Sequence, residues 1–311
     1  MLLFPRKNIT RKTLGILALC SAIYLVIIGL SVGLKAENWI IVICYNFFFL
    51  LSDSTRKFVA AFSIFIVFGI VYDLMKAFPN FLVNSIDVLQ VYGLEKKLFG
   101  IHSHNLVLTA NEYFAINHTT FLDVLSGFCY INWMPIPLCL ALYFYFKNKL
   151  QFLHFSLTFL LTNVIGFCIY YIHPAAPPWY LAQYGSSINY HTMGNPAGLA
   201  RFDTFFNCRV FHSIYSRNSN VFAAMPSLHS AYPIIVLYYS IKNKLGYINW
   251  FFALFVIGIW FSAVYSGHHY IVDVIAGLLC AVAGICLFQF VILKRTVVHK
   301  WLNTYKDFIS V

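Results

Sequence analysis

The sequence predicts an all-α, polytopic transmembrane helical bundle of about eight spans, and three observations carry that prediction. Of 311 residues, 60% are hydrophobic and only 10% are charged, whereas soluble domains carry roughly 25% charged residues. Apolar runs near the bilayer-crossing length of about 20 residues recur along the chain. Of the 21 Lys and Arg, most fall at the two ends of the chain and in alternate turns between those runs, the pattern of a chain that crosses a membrane repeatedly. The mean hydropathy of +0.74 agrees. The formal charge of +11 is explained by this placement and calls for no nucleic acid partner.

Eight spans are expected, at 14–34, 38–51, 58–75, 122–146, 152–172, 221–241, 247–266 and 270–293. The first is too long for a signal-peptide core and has no small-residue cleavage site, so it reads as an uncleaved span. The second, at about 14 residues, is short for a crossing. Between it and the third, Asp53, Arg56 and Lys57 interrupt the apolar pattern and predict a loop over 52–57. Arg6, Lys7, Arg11 and Lys12 precede the first span, and Lys294, Arg295, Lys300 and Lys306 follow the last. With Arg56, Lys57, Lys147, Lys149, Lys242 and Lys244 they place 14 of the 21 basic residues on one face, which should be cytoplasmic. Both termini then lie in the cytoplasm. Three parts follow: two helices in 1–57, a six-helix core in 58–293 with outer loops 77–120 and 173–220, and a short basic tail, 294–311. Seven of the eight cysteines lie in apolar runs and only Cys208 in a loop, which is neither a disulfide framework nor a metal spacing.

Ionisable groups at the end of an apolar run are costly and mark a functional site by default. Two such clusters fall on the outer face, Met225-Pro-Ser-Leu-His-Ser230 and Ser266-Gly-His-His-Tyr-Ile-Val-Asp273. In a helix, His269 and Asp273 share a face. A carboxylate that accepts from one imidazole nitrogen leaves the other as a lone-pair nucleophile. His229 could then supply general acid and base catalysis. Two other readings use the same residues. One is helix-end histidines among lipid headgroups. The other is a zinc site of His229, His268, His269 and Asp273, disfavoured because adjacent helical residues diverge by about 100°.

The outer loops add further candidates. Residues 77–120 mix apolar and polar side chains and read as an interfacial segment, either shaping a lipid entrance or merely covering the surface. His102 and His104 within it read as solvated, and Asn117-His-Thr119 fits a glycosylation sequon. The second loop carries Pro174-Ala-Ala-Pro-Pro-Trp-Tyr180 and Gly194-Asn-Pro-Ala-Gly-Leu-Ala-Arg-Phe-Asp203, stiff by composition. Its Arg201, Arg209 and Arg217 are suited to hold a phosphodiester, or to anchor on anionic lipid in general.

These four ordered motifs, with a looser echo at residues 92–100, resemble the type 2 phosphatidic acid phosphatase superfamily. The chain is most similar to its fungal inositol phosphorylceramide synthase branch, and strongly so over residues 174–273. The resemblance implies a phosphohistidine mechanism without metal or other cofactor. It makes His269 the nucleophile, Asp273 its orienter and His229 the acid. The motifs that carry it also make Tyr180, Arg201, Asp203, Ser227 and His268 candidate substrate ligands. Three positions depart from the broader phosphatase pattern. Gly166, His173-Pro174 and Ser262-Ala263 stand where that pattern has Lys, Arg-Pro and Ser-Arg. A phosphomonoester dianion needs more positive charge than a diester monoanion, so the losses favour a diester. The implied reaction moves phosphoinositol from phosphatidylinositol to ceramide, in a bacterial inner membrane or a Golgi membrane. A lipid phosphatase acting on phosphatidic acid or a polyprenyl pyrophosphate, with water as acceptor, is the rival enzyme. A catalytically silent lipid-binding or scaffold protein is the rival from another class.

Overall fold

The computed structural model describes residues 9–103, 105–216 and 220–310. Arg6, Lys7, His104 and Arg217, singled out above, lie outside them. The chain begins with α1 (Arg11–Ser31), α2 (Ala36–Leu51) and α3 (Asp53–Leu74). An outer segment follows: α4 (Leu89–Phe99), an antiparallel hairpin of β1 (Ile101–Ser103) and β2 (Leu106–Leu108), and α5 (Ala110–Ile116). Next come α6 (Thr120–Ile131), α7 (Pro135–Lys147) and α8 (Lys149–Ile172). Three short helices, α9 (Pro178–Tyr184), α10 (Ala200–Phe205) and α11 (Val210–Tyr215), punctuate the second outer segment. The chain closes with α12 (Leu228–Lys242), α13 (Ile248–Tyr265), α14 (Ile271–Cys286) and α15 (Thr296–Ile309).

Among the described residues, five helices are long and apolar enough to cross a membrane: α1, α3, α8, α13 and α14 with its π-helical extension to Ile292. The protein is an integral membrane protein. Helices α6 and α7 make a sixth crossing if taken as one span bent by 40°. The bend has a local cause. Pro135 lacks the N–H group that would continue α6 and disfavours helix in Met134 before it. Helices α2 and α12 have 16 and 15 residues, short of the ~20 that a perpendicular crossing requires.

Three expectations change in detail. The loop expected over 52–57 shrinks to Ser52, whose hydroxyl accepts the Thr55 N–H while Thr55 Oγ1 accepts the Ser52 N–H. That capping box starts α3 at Asp53, which pairs with Arg56 at 2.8 Å, so the charges form a helical turn. The span expected from residue 221 begins seven residues later, because Pro226 precedes the N-cap Ser227. The basic tail is helix α15, with Leu302 and Ile309 buried. Lys57 Nζ donates to the Ser310 carbonyl and Tyr305 Oη to that of Ala60, fixing it to α3.

Helix α12 is the hub, packed on α8, α13 and α14. Polar side chains tie these apolar helices to one another, Tyr232 Oη to Asn163 and Tyr239 Oη to Thr158 and the His154 carbonyl. Such pairings satisfy groups for which lipid offers no partner. Helices α1 and α2 bury almost nothing, and their Ile16, Leu19, Leu30, Ile40 and Ile43 stand exposed, as lipid-facing side chains should.

Candidate active site

Helix α12 carries His229 in its first turn and Lys242 in its last, so the histidines and the basic turns lie at opposite ends of the bundle. The Ser227 N–H donates to the Asp273 carbonyl (2.9 Å), which docks the start of α12 on the first turn of α14. Close approach is possible because residue 277 is glycine: a Cβ there would stand 2.1 Å from the Ser227 carbonyl oxygen. The Ser230 hydroxyl donates to Ser227 Oγ (3.0 Å) and closes the turn.

This docking brings His229 Nδ1 within 3.3 Å of His269 Nε2. On the other side of the ring, His269 Nδ1 lies 3.7 Å from Asp273 Oδ2, just beyond hydrogen-bond reach. Asp273 Oδ2 is occupied by the Tyr270 N–H (2.8 Å), while its buried Oδ1 has no partner. A modest rotation would give the carboxylate the Nδ1 proton and leave Nε2 as a lone pair facing His229. Burial pushes the His269 imidazole down to about 4, opposed by the Ala224 carbonyl. The ring is therefore neutral at pH 7, the state a nucleophile needs.

Both histidines open into a cavity of about 450 Å³ lined mainly by aromatic and aliphatic side chains, among them Tyr130, Trp133, Trp179 and Leu228. Trp133 meets His229 edge-on at 4.9 Å between centroids. His268 lines the same cavity, but its ring stacks on Tyr215 at 4.3 Å and its Nε2 faces the Pro196 carbonyl at 3.0 Å. Burial, then the neighbouring His269, pushes this imidazole down to about 3. Neutral His268 must thus carry its proton on Nε2 to serve Pro196. Among the described residues, no group of three or more His, Cys, Asp or Glu is arranged to hold a metal ion.

The expected ligands separate. Arg201 lines a second cavity of about 570 Å³ with Glu112, Tyr265 and Ser266, not the histidine cavity. Its Nε donates to Asp123 Oδ1 (2.5 Å), a carboxylate that also accepts from Tyr265 Oη (2.8 Å). Asp203 caps α11, accepting the Phe211 and His212 N–H groups. Tyr180 Oη bonds the Ser187 carbonyl and the Asn189 N–H. Neither Asp203, Tyr180 nor Ser227 lines either cavity. Arg209 is exposed. Among the described residues, the only Lys or Arg on the histidine cavity is Lys76, which pairs with Asp73 at 3.4 Å. Nor can the phosphatase cations be restored easily. A side chain at Gly166 would meet Leu228 at 2.6 Å, and Ala263 is wholly buried. Sequence reasoning missed Gly277, although its position four residues after Asp273 was a usable signal. It also missed Tyr130, Trp133 and Tyr215, which carry no signal beyond being aromatic.

A His–His pair backed by an aspartate, in a helical membrane bundle, is an arrangement suited to nucleophilic and acid–base chemistry. The chain belongs to the PAP2 superfamily, whose model matches residues 89–287. It is 42% identical to a phosphoinositol dihydroceramide synthase of Bacteroides thetaiotaomicron over 308 residues, 98% of this chain and all of that one. An inositol phosphorylceramide synthase of Candida albicans is 28% identical over 80% of this chain and 51% of its own length. The catalytic subunit of the Saccharomyces cerevisiae enzyme is 35% identical over 41% of this chain and 31% of its own. No solved structure matches the chain.

Proposed function

We propose that this protein is a phosphotransferase that moves phosphoinositol from phosphatidylinositol to the primary hydroxyl of a ceramide or dihydroceramide. The observation that carries the chemistry is the 3.3 Å contact between His229 and His269, with Asp273 behind it. His269 Nε2 attacks phosphorus and the bond to the diacylglycerol oxygen breaks. His229, entering as the imidazolium that an anionic phosphodiester beside it favours, delivers its proton to that oxygen. The phosphorus would take the place of the direct contact between the rings. In the second displacement His229 takes the proton of the ceramide hydroxyl, whose oxygen attacks phosphorus and releases His269. The substrate class is supported by the sparse positive charge on the cavity, Lys76 being already paired, which suits a diester monoanion over a monoester dianion. It is supported equally by the full-length relative, named for phosphoinositol and dihydroceramide. The aromatic wall would exclude water while admitting a lipid hydroxyl.

In this reading the chain crosses the membrane eight times, with α2, the bent α6–α7 pair and α12 as crossings. A six-helix catalytic core over 58–293 then follows two added helices in 1–57. The termini face the cytoplasm and the histidines the opposite side, supported by the distribution of basic residues over the two ends. Purified protein given phosphatidylinositol alone should release little inositol phosphate. Added ceramide or dihydroceramide should yield diacylglycerol and the inositol phosphosphingolipid in equal amounts. Rapid release of inorganic phosphate from phosphatidic acid or a polyprenyl pyrophosphate, indifferent to ceramide, would replace this reading with the phosphatase.

A further inference from the structure

The outer segment that holds α4, the hairpin and α5 reaches beneath the surface to the backbone of the nucleophile loop. Its two helices form one platform. Tyr92 Oη on α4 donates to Glu112 Oε1 on α5 (2.7 Å), and Lys96 Nζ stands 3.7 Å from Glu112 Oε2. Glu112 Oε2 also accepts the Thr109 N–H (2.7 Å) and caps α5. From this platform two side chains touch residues 264–272. Glu95, with no exposed surface, accepts the Ile271 N–H on Oε1 and the Val272 N–H on Oε2, both at 3.1 Å. Asn111 Nδ2 donates to the Val264 carbonyl (2.7 Å) and to the carbonyl of His269 itself (2.8 Å).

We propose that Glu95 and Asn111 are positioning residues that hold His269 in line with His229 and Asp273, a role that rests on His269 being the nucleophile. The first N–H groups of a helix have no partner within it and attract negative charge. At the start of α14 they are divided between two carboxylates. Glu95 takes Ile271 and Val272, so Asp273 has only the Tyr270 N–H to satisfy, through Oδ2, the oxygen that also stands 3.7 Å from His269 Nδ1, while its Oδ1 stays without a partner. Asn111 uses both amide hydrogens to join the last turn of α13 to His269, which fixes the peptide from which the imidazole projects. The brace is charge-assisted and buried, the setting in which hydrogen bonds hold geometry most firmly.

Glu95→Gln keeps the shape but replaces one acceptor with an N–H₂ facing a backbone N–H. Asn111→Ala removes both bonds to the loop. Each variant should lower kcat by about 10²-fold, the usual penalty for a reacting group displaced by about an ångström. KM for phosphatidylinositol should stay within about twofold, because no substrate contact is lost. A merely structural role would not produce the second readout: in an Asp273→Asn background, Glu95→Gln should cost no more than a few-fold, since both act on one imidazole. Asn111→Ala in the same background gives the same test if Glu95→Gln does not fold. Wild-type kcat in either variant, a changed KM at full kcat, or costs that multiply fully with Asp273→Asn would overturn the proposal. His269→Ala separates this failure from failure of the nucleophile assignment. A phosphoinositol label that is trapped on His269→Ala protein sinks the assignment. A dead His269→Ala with unimpaired Glu95→Gln and Asn111→Ala sinks only the positioning role.

Discussion

Replacing Gly277 by alanine tests whether the docking of α12 on α14 sets the catalytic geometry. The new Cβ would stand 2.1 Å from the Ser227 carbonyl oxygen, 3.0 Å from its carbon and 3.1 Å from Ser230 Cβ. Ordinary contact needs about 3.4 Å or more, so the first turn of α12 and α14 must part by about 1.3 Å. The Ser227 carbonyl accepts from Ser230 and Ala231 and its N–H bonds Asp273, so it cannot move without carrying either His229 or Asp273. Alanine favours helix over glycine by about 1 kcal/mol, but overpacking a tight contact costs typically 1–3 kcal/mol. The net effect on stability should be a loss of no more than about 2 kcal/mol, and the protein should fold. Transfer should fall much further, by about 10²-fold or more, because the ring-to-ring distance is what changes. The assay is the rate of inositol phosphosphingolipid formation in detergent micelles, with thermal midpoint measured on the same preparation. Wild-type turnover at an unchanged midpoint would refute the argument that this contact positions the histidines.

Asp273→Asn should leave the protein folded yet cost about 10⁴-fold in turnover by analogy with triad enzymes, because the imidazole loses its orienting acceptor; a loss under tenfold would refute the role. The folded value of His269, about 4, lies below the ~6.5 of an unfolded chain. The folded state therefore binds fewer protons between those values, and stability is complete above about pH 6.5 and lost as pH falls toward 4. The loss from this group is about 3 kcal/mol. His229 and Asp273 are its nearest ionisable neighbours. Thermal midpoints at about pH 7 and about pH 4.5 should converge in His269→Asn relative to wild type; equal slopes would refute the burial argument. A single cysteine at Ser187 should react with a membrane-impermeant thiol reagent in intact cells, in a background lacking Cys208, and one at Asn148 should not. Both positions are exposed, so the reverse pattern would turn the topology over.

The helices were legible because their signals are local: apolar length, capping residues, prolines and the alternation of basic turns act within a few residues of where they stand. The start of α12 was misplaced because hydropathy continues through residues 221–227 while the backbone does not. The histidine pair was legible for a different reason. The sequence places His269 and Asp273 four residues apart, as on one helical face. In the structure His269 precedes the N-cap Tyr270 of α14, yet Asp273 in the first turn still lies 3.7 Å from its ring, and His229 stands in the first turn of another helix.

Amino-acid order alone thus determined the membrane class, the all-helical character, the superfamily motifs and the spacing of His269 and Asp273; the short helices of the outer segments and the helical tail α15 came only with the structure. The tertiary structure alone decided which polar groups reach the histidines. Arg201 lies within the motif that resembles the synthases, yet Asp123, 78 residues away, holds its Nε in a different cavity. Glu95, in the segment that reads only as interfacial, finds its partners 176 and 177 residues away. A buried carboxylate or guanidinium takes whichever partner the fold delivers, because leaving it unpaired costs more than any local preference can repay. That delivery depends on how α4, α6 and α14 pack, which no local pattern encodes.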